Sequence, residues 1–579
     1  MANLIEQLDK QLAELFQGWN TTSTLLTLAI LGFLAYVIVS SEEPDTHPML
    51  LQRQATASLV RHPGESAIYR SPDTPHGYPL RTGLNVKPAG APAYAGGKDG
   101  DLRDIWRRVT GEIPIEKGFG ASTPVATVEQ GKILTVLGKE EVIEHSISDI
   151  TKEIAVVGAH IRKHGGTRVA IYLPNSIEFL AALFSCSFYG LTPILIPYDH
   201  PTTEIIGLLQ KTKADVLIAE AGSLPLQEVA QKHKSLKQVV WVVEKTSRHM
   251  DWTEVPKEIG GNVDVSVWHQ LVQDSQDVTT ADMPDIKSEE LGKIVIVCAD
   301  KPGSEERIIE FTQQNIVAAI GALIAALPAR QRLNPSDLFV CADSFTQTYP
   351  LCLTLAALFS HSSVAINSVA GTNVSLAMAL TSVKPTVVVA SAETASNVHA
   401  TTAPGVSGGL KKIAHNMQTR ALDAGRMPAD GILTTLNAPH RAAIGTTPGK
   451  LRLMFISERA GVESPPLSSD DLSDLRIFTG ARIVYALTQA HVAGAIAQTS
   501  IYDYRRDGGS KNKHSHFGTP LSSVEVKLVD TAEHKTTDDA PKGEASQRLI
   551  VVTGPAVSGD EVNIGVIGTF RDDKALSYL

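Results

Sequence analysis

The stretch IVIVCADKPGSEERIIEFTQQNIVAAIGAL, Ile294 to Leu323, decides how this chain is read. Five apolar residues predict a buried strand, and a turn of small and charged residues follows. IIEF predicts a second short strand, and TQQNIVAAIGAL predicts a helix opened by a Thr cap. Strand, turn and helix in this order outline a site for a nucleotide triphosphate. The residues a phosphate needs are mostly missing. Asp300, Glu305 and Glu306 instead put carboxylates in the turn, where a triphosphate's negative charge would sit. Two like charges about 4 Å apart repel by about 4 kcal/mol at an effective dielectric near 20.

Outward from this stretch, strands alternate with helices. RVAIYLPN, LTPILIPY, DVLIAEA and LKQVVWVVE read as strands before it; LFVCAD, SSVAIN, TVVVAS, LRLMFIS and ARIVYAL read as strands after it. The helices between them include SIEFLAALFSCSFY, ended by Gly190, and YPLCLTLAALFS. This alternation predicts an α/β fold with parallel sheets covered on both faces. From about His516 short strands dominate, which predicts a small β-rich unit and a final turn.

At 579 residues the chain suggests about three or four units. A net charge of -10 excludes an extended basic nucleic-acid surface. Cys186, Cys298, Cys341 and Cys352 sit in apolar runs without metal spacing, so buried free thiols are expected. Leu15 to Ser41 carries no charge and is long enough to span a bilayer, with Trp19 and Tyr36 near its ends. The segment before it leans acidic, as an uncleaved anchor does, and Leu4, Ile5, Leu8, Leu12, Leu15 and Phe16 form a helical stripe. The divisions expected are an amphipathic segment 1–20, a transmembrane anchor 21–41, an extended linker 42–100, α/β subdomains 101–292 and 293–515, and a β-rich subdomain 516–579.

These segments, in this order, resemble the large N-terminal domain of the adenylate-forming (AMP-binding) enzymes, in particular long-chain acyl-CoA synthetases. RVAIYLPNSIEFLAALFSCSFYGLTPILIPYD, TQQNIVAAIGAL, LRLMFIS, ARIVYALTQAHVAGAIAQT and HFGTPLSSVEVKLVD carry the resemblance. It implies that fold, two α/β subdomains plus a small β-rich one, and an ancestry in fatty-acid activation with ATP, magnesium and coenzyme A. Carried over, Arg307 takes the place of the phosphate-loop lysine, and Ser457, Tyr485 and Thr488 mark the vestigial nucleotide site. The rest departs from the pattern. The magnesium-binding Glu is Gln489, and the glycine pair beside the adenine is Glu458-Arg459. The histidine position is Gln347, and the ribose-binding aspartate is Val566, whose apolar side chain accepts no hydrogen bond. The family's mobile C-terminal lid, with its catalytic lysine, is not matched by any part of this sequence.

The expectation is therefore a membrane-anchored, acyl-CoA-synthetase-like chain with no catalytic residues and no metal or bound cofactor. It would serve as a scaffold, regulator or lipid-related partner. The globular part would face the cytosol from the endoplasmic reticulum or the mitochondrial outer membrane. Its partners would be the lipid bilayer and proteins at the membrane, with no nucleic acid. The rival readings are a divergent fatty acid–CoA ligase and a truncated product of one. A further expectation is that Arg307, Glu458, Arg459 and Gln489 share one crevice and fill it by pairing with carboxylates.

Three weaker motifs read as ordinary surface. Gly445–Lys450 imitates a phosphate loop but precedes a strand. His514 and His516, with Arg505, Arg506, Lys511 and Lys513, read as one solvated basic loop. The triplets at Asn20 and Asn373 are chance-level.

Overall fold

The computed structural model describes residues 19–578 except 42, 89–90, 93–94, 114–129, 138–140, 199, 245–246, 249–251, 253–262, 276–282, 285, 299–305, 381–382, 407, 430, 432–433, 435–450, 463, 507–512 and 532–547. The stripe from Leu4 to Phe16, Asp300 and Glu305 of the phosphate-loop stretch, the Gly445–Lys450 turn and Lys511 lie outside the described residues.

Asn20 opens helix α1 (Thr21–Ser41), its side-chain oxygen accepting from the Ser23 N–H at 3.0 Å. The described side chains of α1 run only to Leu34. Among the described residues, no helix is long and apolar enough to cross a membrane. Leu25, Leu26, Leu28, Ile30, Leu31, Phe33 and Leu34 are nonetheless all exposed, on every side of the helix.

Helix α2 (Ile147–Lys163) buries Ile150, Ile154, Val157 and Ile161, a 3.6-period stripe, against the helix Ile177–Tyr189. Gly158 makes that approach possible, because a Cβ there would lie 2.2 Å from the Tyr189 ring. The helix Ile177–Tyr189 ends at Gly190, whose φ of 67° is the left-handed conformation that stops a helix. Apart from the half-buried Glu178 in its first turn, that helix is buried along its length, as is its counterpart Thr348–Phe359. Both therefore lie inside the molecule, within the main hydrophobic core.

The first sheet has seven strands. In spatial order they are Arg307–Phe311, Ile294–Cys298, Thr192–Leu195, Arg168–Tyr172, Val216–Glu220, Gln238–Val242 and the edge strand β1 (Asp264–Val267). All neighbours are parallel except the first pair. The second sheet has nine strands. Its centre is built from β2 (Leu338–Cys341), β3 (Val387–Ser391), β4 (Leu453–Arg459) and β5 (Arg482–Thr488), all parallel. Short apolar runs without alternation, such as VVVAS, are buried on both faces as a covered parallel sheet requires. Helices α3 (Gly409–Asp423) and α4 (Ser469–Thr479) pack beside each other near this sheet. A six-stranded antiparallel sheet closes the structure.

Three expected divisions differ from the topology. The strands Ile294–Cys298 and Arg307–Phe311 extend the first sheet, so residues 293–311 do not begin a second subdomain. The hairpin Ile133–Leu137/Glu141–His145 leaves the first subdomain to edge the second sheet. The segment 42–100 is not a free linker, since Thr56–Ala57 and Tyr69–Arg70 complete the closing sheet beside Glu525–Val529. In both exchanges a sheet edge with unpaired N–H and C=O groups recruits a distant strand. The strands Glu561–Phe570 and Leu576–Tyr578 also replace the expected final turn.

Candidate functional site

The parallel register of β4 and β5 sets Ser457 opposite Ala486, Glu458 opposite Leu487 and Arg459 opposite Thr488. These residues therefore emerge together at the carboxyl ends of the strands, where ligands of open parallel sheets bind. Asp343, two residues beyond β2, enters from the next parallel position but one.

Arg459 Nη2 lies 2.9 Å from both carboxylate oxygens of Asp343. The Asp343 side chain is wholly buried and also accepts the Ser344 N–H at 2.8 Å. Ser457 Oγ reaches Asp343 at 3.5 Å. Glu458 is 2% exposed and accepts the Tyr485 hydroxyl at 3.0 Å and the Ser464 hydroxyl at 2.5 Å. Burial pushes its carboxyl up to about 7, against the opposing pull of Ser464, Tyr485 and Arg459. Burial, and then the Glu458 charge, push the Tyr485 phenol well above its ordinary range. The ring of Tyr485 stacks on Phe517 at 5.0 Å. Thr488 turns its hydroxyl back to the Glu458 carbonyl at 2.9 Å. Gln489 accepts the His491 N–H at 2.6 Å, so its carboxamide oxygen is committed to a turn.

Ser457, Tyr485 and Thr488 thus come together with Glu458 and Arg459, and Gln489 follows directly on β5. Arg307 begins the edge strand of the other sheet, opposite Cys298. Glu306, read from the sequence as a phosphate-facing acid, pairs with Lys211 at 3.5 Å. Val566 packs half-buried against the core from the closing sheet. Gln347 caps the helix Thr348–Phe359 through its backbone only. Asp343 was missed by sequence reasoning, although an acid just past the buried strand LFVC, at the ligand-facing end, was a usable signal.

The basic loop also differs from its reading. His516 is buried 3.4 Å from Asp503; Arg505 pairs with Asp503 and Asp573, and Arg506 with Asp423 and Asp470. Asp503 stands two residues before Arg505, but Asp573, Asp423 and Asp470 come from distant parts of the chain, so the local sequence shows only part of the neutralising charge.

Residues 129–287 match the family model described as AMP-binding enzyme. No curated protein matches the sequence. Among solved structures, the chain is similar to VinN in complex with L-aspartate, at 14% identity and a TM-score of 0.55, over 86% of this chain and 99% of that one. It is similar to an acyl-CoA synthetase of Brucella canis, at 13% identity and a TM-score of 0.53, over 78% of this chain and 72% of that one. It is also similar to a putative long-chain-fatty-acid CoA ligase of Rhodopseudomonas palustris, at 16% identity and a TM-score of 0.53, over 83% of this chain and 98% of that one. The fold is that of the adenylate-forming superfamily.

Proposed function

We propose that this chain, built on the adenylate-forming fold of acyl-CoA and acid ligases, does no ligase chemistry and works as a membrane-held scaffold or regulator. The observation that carries the reading is the Arg459–Asp343 ion pair beside the buried Glu458–Tyr485 contact. At the strand ends that would receive a nucleotide, Arg459 is paired with Asp343 and Glu458 is bonded to two hydroxyls.

ATP and magnesium do not fit these residues. A triphosphate needs free backbone N–H groups and uncommitted cations. Here the Arg459 guanidinium is held by a buried carboxylate, and Glu458 adds a second acid beside it. A hard cation needs charged oxygen ligands, whereas the Gln489 oxygen is neutral and already bonded.

Calorimetric titration of the full chain with ATP–Mg tests this, together with an acyl-adenylate assay on long-chain fatty acids. The expected results are affinity no tighter than millimolar and no adenylate. Micromolar ATP binding would overturn the proposal and restore the divergent ligase.

The membrane half of the proposal rests on α1, which is apolar on every side and exposed. A helix of that kind is at home only in a core or a bilayer. A second apolar surface adjoins the point where α1 joins the body. Asp45 is clamped by Arg482 at 3.0 Å and Tyr504 at 2.7 Å, and its N–H donates to the Gly425 carbonyl just past α3. Helix α3 exposes Leu410, Ile413 and Met417 along one stripe, with Lys412 and Arg420 exposed nearby. Four residues from Ser41 to Asp45 reach at most about 14 Å, so this end of the body lies close to the bilayer. Extraction of the full chain by alkaline carbonate would overturn the anchor. Protection of the globular part from added protease would overturn its cytosolic orientation.

A further inference from the structure

Far from the crevice, the last turn of α2 meets the edge strand β1. In His160-Ile-Arg-Lys-His164 the two imidazoles are four residues apart and share one face of the helix. Their ring centroids lie 4.4 Å apart. His160 Nε2 is 3.3 Å from Asp264 Oδ2 and 3.1 Å from Ser266 Oγ, both on β1. One ligand atom from each of His160, His164 and Asp264 falls within 4.8 Å of the others.

The geometry points to a divalent transition-metal site of two histidines and one aspartate, of the class that takes Zn²⁺ or Ni²⁺. Ligand atoms around a tetrahedral zinc, at about 2.1 Å from the metal, stand roughly 3.4 Å apart. His160 and Asp264 already have that spacing. His164, exposed at the helix end, closes the remaining distance by a small side-chain rotation.

The tautomer of His164 is settled by its neighbour. Its Nδ1 lies 2.9 Å from the His160 carbonyl, which can only accept, so Nδ1 carries the proton and Nε2 keeps its lone pair. A ring N–H held by a backbone carbonyl is how metal-ligating histidines are oriented. The carbonyl end of α2 adds partial negative charge that favours a cation. Imidazole donors select Zn²⁺, Ni²⁺ or Cu²⁺ over Mg²⁺. Lys163 lies in the same turn and limits the affinity. The site holds an edge strand to a core helix; water fills the fourth position.

The test uses the full chain, free of any histidine tag and stripped with a chelator. ZnCl₂, NiCl₂ and MgCl₂ are titrated separately by calorimetry, and thermal unfolding is followed with and without Zn²⁺. The four native cysteines are buried and do not compete. The expected result is one equivalent of Zn²⁺ or Ni²⁺, no Mg²⁺, and a Zn²⁺-dependent rise in Tm in the parent. His164→Gln should weaken binding by at least about tenfold and abolish the rise in Tm. Asp264→Asn should weaken binding less. His164 and Asp264 are both exposed, so both variants keep the fold, which circular dichroism checks. Absence of stoichiometric binding, or binding unchanged in both variants, overturns the site.

Discussion

Glu458 in the crevice and Asp503 near the closing sheet are both buried carboxylates, and their partners drive them in opposite directions. Burial pushes the Glu458 carboxyl up to about 7, and the two hydroxyls and Arg459 that oppose it do not offset that burial. Burial would also raise Asp503, but Arg505, bound at 2.6 and 2.8 Å, holds it at about 2. Asp503 further accepts from Gln54 at 2.9 Å, while Asp573 shares Arg505 at 2.8 Å. Burial lowers the pKa of the nearby His516 imidazole, against the opposing pull of Asp503. The Asp503 cluster joins residue 54, helix α4 (through Arg476) and the last strands into one lock. Glu458, by contrast, is bonded to Tyr485 and Ser464, 27 and 6 positions away. A buried acid with a dedicated cation is structural; one held by hydroxyls marks a place the fold tolerates.

The largest expected effect is on the lock. Asp503→Ala leaves Gln54 without its acceptor and Arg505 with Asp573 alone, and removing one partner of a buried pair costs about 3–5 kcal/mol. Urea unfolding measures it, and a loss under about 1 kcal/mol, the scale of a surface pair, would break the distinction between the two clusters.

Next comes the pH response, where the two acids differ in sign. The Glu458 pKa is raised in the folded state from an ordinary value near 4.5 to about 7. Stability should therefore fall as pH rises through that window, by roughly 3 kcal/mol at most, and level off above it. The Asp503 pKa is lowered from 3.8 to about 2, so its contribution is present above 3.8 and lost as pH falls toward 2. Glu458→Gln keeps an acceptor for Tyr485 and should flatten the decline between pH 5 and 7. Glu153, raised to about 7 by burial and then by Glu178, leaves a residual slope. An unchanged Tm–pH profile in the variant would show that Glu458 is not buried as described.

A smaller effect is expected in the Arg459–Asp343 pair. Arg459→Met alone should destabilise by leaving the Asp343 charge buried, and adding Asp343→Asn should recover about 1–3 kcal/mol of that loss. Additive losses would mean that the pair does not fill the crevice. Ser464→Ala is the mildest, at less than about 1.5 kcal/mol, and it should raise the Glu458 carboxyl further by removing a hydrogen bond.

Much of the architecture was legible. The strands of VVVAS, LFVC and IVIVC, the mostly apolar helices and the stop at Gly190 follow from local periodicity and backbone preference. The neighbourhood of Ser457, Tyr485 and Thr488 was legible too, because parallel register at strand ends brings such residues together. Long-range choices were not legible. The partner of Arg459 lies 116 positions away in sequence, and no local pattern names it. The segment 42–100 looked like a linker because Pro and Gly hide a strand's signature, yet a sheet edge claimed two short pieces of it.

By itself, then, the sequence determined which segments are strands and helices, which helices must be buried, and that most of the residues a phosphate cradle needs are missing from the Ile294–Leu323 stretch. Those properties depend on side chains within a turn or a pleat of one another. Only the tertiary structure decided which carboxylate meets which arginine, that Glu458 stays nearly uncompensated while Asp503 is locked, and that His160 and His164 face Asp264. Such pairings depend on which distant backbone fills each sheet edge. Burial then multiplies their energetic weight, because a charge removed from water depends on the few groups left around it.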